Sequence, residues 1–131
     1  MKLKIIFLLL FLAFQACMKV PSNKSIINVD ELNLNPQTIY TVKVGEKISF
    51  KTNVHASVGM GAEYEIQDEK IINLEESEVI YDNPNFEGTG GDAGMQKFTF
   101  KGLSKGKTKV TIKKVYRGDL EKEIFLEVEV I

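Results

Sequence analysis

Few residues in this 131-residue chain could do chemistry. His55 is its one histidine and Cys17 its one cysteine. A catalytic nucleophile needs a base within hydrogen-bond reach and a third group to orient that base, and this pair supplies no such set. His55 ends an alternating stretch just ahead of a glycine-rich turn, and it reads as a surface or loop-anchoring side chain rather than a base. No His/Cys cluster has the spacing of a zinc site. The acidic run Glu75-Glu76-Ser77-Glu78 lacks the spaced oxygen ligands and fixed glycine of a calcium loop, so it reads as a solvated face. Arg117-Gly118-Asp119 spells an adhesion tripeptide, but three residues recur too easily to carry weight. The shortage of titratable groups able to act in pairs argues against an enzyme, and nothing calls for a metal or cofactor.

Two glycine-rich segments remain. One is Ala56-Ser57-Val58-Gly59-Met60-Gly61-Ala62; the other runs from Phe86 to Gly94 and contains Gly88-Thr89-Gly90-Gly91. Neither follows a strand and opens a helix, so neither is placed to cradle phosphate. Both precede strand-like stretches, and a third turn follows around Arg117.

The elements that would position these loops are strands. Ile39 to Val44 is β-like and ends in the turn Gly45-Glu46. Ile48, Phe50, Thr52 and Val54 then alternate with polar residues, a period of two that buries one face. Short alternating segments follow at Glu63–Ile66, around Phe98 and Phe100, and around Val110 and Ile112. Residues 71–82 hold two apolar groups about an acidic centre. The clearest strand is the last, with Ile124, Leu126, Val128 and Val130 on one face. Seven or eight short strands without a helix predict an all-β fold, an immunoglobulin-like antiparallel β-sandwich. Such a fold would gather the three loops at one end, where sandwiches bind partners.

The N-terminus predicts export. Lys2 and Lys4 precede an apolar run from Ile5 to Phe14, far short of the roughly 20 residues of a membrane-spanning helix. Residues 1–16 therefore read as a signal peptide. Phe14 is a poor fit to ordinary secretory cleavage, whereas Ala13-Phe14-Gln15-Ala16-Cys17 is similar to a bacterial lipobox. A lone thiol in an oxidising compartment is a hazard that lipidation removes, and acylation would hold the protein on a membrane. Residues 17–28 then read as lipidated Cys17 and a tether, and 29–131 as one domain. The expected location is the bacterial cell envelope, with free secretion as the alternative. Losing the two signal-peptide lysines leaves 15 basic against 18 acidic residues, a balance that gives no support to nucleic-acid binding, which would call for a basic face.

From about Thr38 to Ile131 the sequence resembles the chagasin-type inhibitors of papain-like cysteine proteases. Val42-Lys43-Val44-Gly45-Glu46 is similar to that family's first strand and turn. The family's first loop, Asn-Pro-Thr-Thr-Gly with an aromatic three residues on, corresponds to Ser57-Val58-Gly59-Met60-Gly61 and Tyr64, keeping only the final glycine. Its Gly-x-Gly-Gly loop is matched in full by Gly88, Thr89, Gly90 and Gly91. Its Arg-Pro-Trp loop is represented by Arg117 alone, with Tyr116 as a stand-in for the lost aromatic. The resemblance implies a monomer that binds a papain-like protease reversibly. The first loop would sit over the catalytic cysteine and the other two would grip its flanks. The implied contact set is Ser57, Val58, Gly59, Met60, Gly61, Tyr64, Gly88, Thr89, Gly90, Gly91, Tyr116 and Arg117. A different class remains open: a surface lipoprotein module that binds carbohydrate or another envelope protein. That reading calls for exposed aromatics on one face, and Trp is absent.

Overall fold

The computed structural model describes residues 25–85, 87–88 and 92–131. The expected signal peptide, Cys17 and the tether up to residue 24 lie outside them, as do Thr89, Gly90 and Gly91. The described chain forms strands β1 (Ile26–Asp30), β2 (Ile39–Val42), β3 (Lys47–His55), β4 (Met60–Ile66), β5 (Ile72–Tyr81), β6 (Ala93–Gly102), β7 (Gly106–Tyr116) and β8 (Asp119–Val130). Two single-turn 3-10 segments, Glu31–Asn33 and Ala56–Val58, complete it. The eight strands and the absence of an α-helix among the described residues agree with the all-β expectation.

The strands hydrogen-bond in the order β2-β8-β7-β4-β3-β6-β5, with β1 paired off this path to Lys47–Lys51 of β3. β3 and β4 share a single pair, His55↔Met60, so the path folds there into two layers. One layer holds β1, β3, β6 and β5; the other holds β2, β8, β7 and β4. The core lies between them. Ile48, Phe50, Phe98, Phe100 and Ile72 of the first layer face Val110, Ile112, Ile124, Leu126, Val128 and Val130 of the second, all buried. Burial of each large apolar side chain stabilises the fold by roughly 1.5–3 kcal/mol.

Three features were not predicted from pattern. β1 pairs with β3, and β2 with β8, in parallel. These pairs join segments without a hairpin, so no turn residues announce them. β1 also takes in Ile26, Ile27 and Asn28, which the sequence reading placed in the tether. The two apolar groups of residues 71–82 form one ten-residue strand with a register shift between Leu74 and Glu76. The intervening Glu75 pairs with Lys47 and Lys101 across the sheet, and a bulge of this kind lets a strand continue through an acidic interruption.

At one flank the 3-10 turn Glu31–Asn33 ties the layers together. Asp30 caps it, its Oδ1 accepting from the Leu32 N–H at 3.0 Å. The Glu31 carboxylate accepts from Thr52 of β3, from Lys114 of β7 at 3.0 Å and from Lys122 of β8 at 3.2 Å. Lys114 also donates to Asn53 Oδ1 at 2.7 Å. The Lys114 and Glu31 side chains are only 10% and 14% exposed. Burial pushes the Glu31 carboxyl up, but hydrogen bonds from Thr52, Lys114 and Lys122 outweigh it and hold the group below its ordinary range.

Candidate loop interface

The strand registers place three loops at one end. Ala93 of β6 is opposite His55 of β3, His55 opposite Met60 of β4, Met60 opposite Tyr116 of β7, and Tyr116 opposite Asp119 of β8. These five residues form one row across both layers. Beyond it lie the first loop (56–59), Asp92 at the described end of the second, and the third (117–118).

The third loop is a two-residue hairpin. Arg117 (φ 51°) and Gly118 (φ 88°) are both left-handed, the signature of a type I′ turn, whose twist suits flanking strands. Gly118 takes this conformation without strain, whereas Arg117 takes it at a cost of roughly 1–2 kcal/mol for a residue with a Cβ. Its guanidinium lies 5.1 Å from the centroid of the Tyr116 ring, a cation–π contact. The first loop is one 3-10 turn closed by the Gly59 N–H on Ala56 O at 2.9 Å, and Gly59 is left-handed at φ 83°.

Main-chain groups join the loops. The Arg117 N–H donates to Gly59 O at 2.8 Å. A Cβ on Gly59 would lie 3.0 Å from Arg117 Cγ and 3.3 Å from its Cα. Glycine is thus required there both for φ and for the close approach of the third loop. On the other side, Asp92 at the end of the second loop accepts from the Ser57 N–H through Oδ2 at 2.8 Å. Its Oδ1 lies 3.3 Å from His55 Nε2, an ion pair when the ring is protonated. Hydrogen bonding from the Ser57 side chain is the largest influence holding the Asp92 carboxyl below its ordinary range. The base of the second loop is closed by the Asp82 N–H on Ala93 O at 2.9 Å. Just beyond, Gly94 packs so tightly that a Cβ would lie 2.5 Å from Ile80 O.

Of the residues predicted to make contacts, Ser57, Val58, Gly59, Met60, Gly61, Tyr116 and Arg117 meet at this end. Val58 and Tyr116 each expose 39% of their surface, and Gly88 is exposed in the second loop. Tyr64 stands apart. It lies four residues along β4 from Met60, roughly 13 Å at about 3.3 Å per residue, and its ring packs 5.5 and 5.8 Å from Phe98 and Phe100. The sequence reading overlooked Asp92, whose one signal is its position directly after Gly91. Among the described residues no group of three or more His, Cys, Asp or Glu could hold a metal ion. The loop end therefore presents shape, backbone and modest apolar surface.

By sequence the chain matches no protein-family model and no curated protein. Its fold does match solved structures. The cysteine protease inhibitor EhICP2 from Entamoeba histolytica superposes with a TM-score of 0.65 at 14% identity, over 81% of this chain and 96% of that one. Amebosin superposes with a TM-score of 0.63 at 18% identity, over 82% and 99%. PbICP-C in complex with falcipain-2 is more remote, with a TM-score of 0.46 at 14% identity over 82% and 91%. The neighbours with TM-scores above 0.6 share this chain's β-sandwich almost from end to end, and at these identities the likeness is one of fold.

Proposed function

We propose that this protein is a reversible inhibitor of papain-like cysteine proteases, held at the cell envelope by a lipid on Cys17. The observation that carries the reading is the union of three loops at one end of a sandwich, with the first tied by hydrogen bonds to both others. The fold shared with EhICP2, a cysteine protease inhibitor, supports it. Inhibition of this kind needs no catalytic group. A cleft-binding wedge needs a narrow backbone, which Gly59, Gly61 and Gly88 supply, and apolar contact, which Val58, Met60 and Tyr116 supply. It also needs rigidity, because loops ordered before binding lose less entropy on association. A standard interface of about 1,600 Å² would then suffice.

The topology suits an anchored inhibitor. β1 runs parallel to β3 and starts opposite Lys47, so Ser25 leaves the domain at the end away from the loops. The nine residues of β3 separate the two ends by about 3.3 Å each. A lipid on Cys17 would leave eight further residues of reach, at most ~28 Å extended, and the loops would point away from the bilayer. A carbohydrate-binding module is less well served. The exposed tyrosines Tyr64, Tyr81 and Tyr116 belong to three strands, and Tyr64 packs on the core edge.

One preparation tests both parts. Protein recovered from the membrane fraction should inhibit papain at micromolar concentration, and mass spectrometry should find an acylated Cys17 at its N-terminus. Failure to inhibit several papain-like proteases would sink the inhibitory function. An unmodified N-terminus would leave a freely secreted protein.

A further inference from the structure

The first loop keeps little of the family pattern, yet its path is closely constrained. It has one turn of 3-10 helix and no buried side chain of its own. Its side chains from Ala56 to Val58 are exposed, and of these Ser57 adds a side-chain hydrogen bond to Asp92. What fixes the loop comes from outside. At its exit, Gly59 O is taken by the Arg117 amide. At its entry, the Ser57 amide is taken by the Asp92 carboxylate, which also lies beside the ring of His55, the last residue of β3.

We propose that Asp92 is the positioning residue of the first loop. Its carboxylate binds the entry of that loop to the end of the second, so that the two present themselves to a partner as one unit. Three observations converge on this role. Asp92 directly precedes β6, whose first residue, Ala93, is paired with His55, so its backbone is fixed by the sheet. A carboxylate accepting an amide makes a stronger bond than a neutral acceptor does. And Asp92 reaches a main-chain donor, so the bond survives any exchange of the first loop's side chains other than for proline.

The consequence for inhibition rests on the function proposed above; the geometry does not. The test therefore has two readouts on the full domain. Amide hydrogen exchange followed by NMR should show Ser57 protected in the wild type. The protection should be lost in Asp92→Ala and largely kept in Asp92→Asn, which retains an acceptor oxygen, while Arg117 stays protected in all three. With papain as probe, Asp92→Ala should raise the dissociation rate about tenfold with little change in association, as expected when preorganisation is lost. Ser57→Pro removes the donor instead and leaves Asp92 in place. It should give the same loss, and the double variant should lose no more than either single one. Additive losses, or a Ser57 amide that exchanges equally fast with and without Asp92, would overturn the proposal. Should the wild type not inhibit papain, the inhibitory function falls, and the exchange data alone decide the role of Asp92.

Discussion

The flank and the loop end of this sandwich are both held by long-range hydrogen bonds, but different parts of the chain make them. At the flank the partners are side chains: Glu31 receives Thr52, Lys114 and Lys122. At the loop end main-chain groups carry the ties between loops, Arg117 N–H to Gly59 O and Ser57 N–H to Asp92, with the His55 and Ser57 side chains adding to the second. A side-chain network fixes residue identity, because removing one member strands the others in a poorly solvated place. A main-chain network fixes only conformation. It tolerates many side chains and forbids those that cannot adopt the required φ or that lack the amide. Such a network leaves the side chains of the first and third loops free to vary while their backbone path is kept.

The largest expected effect is at the flank. Glu31→Ala should destabilise the fold by about 3–5 kcal/mol, the cost of leaving a buried charge such as Lys114 unpaired. Adding Lys114→Met should restore much of the loss; denaturant titration measures both. The same group sets an acid limit. Its carboxyl is held below the ordinary value of 4.5 in the fold, so its stabilising contribution is complete above that pH and fades as pH falls through the lowered value. A stability curve flat from pH 7 to pH 3 would contradict the pairing.

Next come variants that break the main-chain tie. Gly59→Ala meets both a left-handed φ and Arg117 at 3.0 Å, and such strain costs of order 1–3 kcal/mol. Arg117→Pro lacks the amide and cannot reach φ 51°, so it should cost at least as much. Both should weaken papain inhibition by more than their effect on thermal stability suggests, because the loop moves before the core fails.

The smallest effect sharpens the contrast. Arg117→Gly keeps the amide, relieves the left-handed strain and loses the contact with Tyr116. Relief of roughly 1–2 kcal/mol sets against roughly 0.5–1 kcal/mol for an exposed cation–π pair, so stability should change by no more than about 1.5 kcal/mol. If this variant disrupts the first loop as Arg117→Pro does, the side chain, not the amide, holds the third loop in place.

The strands of this fold were largely legible. β3 and the second half of β8 carry buried residues at every second position because one face of each lies on the core, and that constraint writes itself along the chain. β1 left no such trace. It is five residues long with one buried apolar residue, Val29, and its parallel partner is distant in sequence. The turns at the loop end were legible in outline through Gly59 and Gly118, which record where backbone must turn or approach closely. Tyr64 shows where position in sequence misleads: an aromatic at the right spacing serves the edge of the core.

The loop end divides the same way. Local sequence determined the alternation of the strands and the glycine-rich turns, because each depends on near neighbours. Only tertiary structure decided that His55, Met60, Tyr116 and Asp119 share one row, that Glu31 sits among Thr52, Lys114 and Lys122, and that Asp92 meets Ser57. Most of those contacts join residues more than twenty positions apart. They follow from strand registers set by burial of the whole core, which no local stretch of sequence encodes.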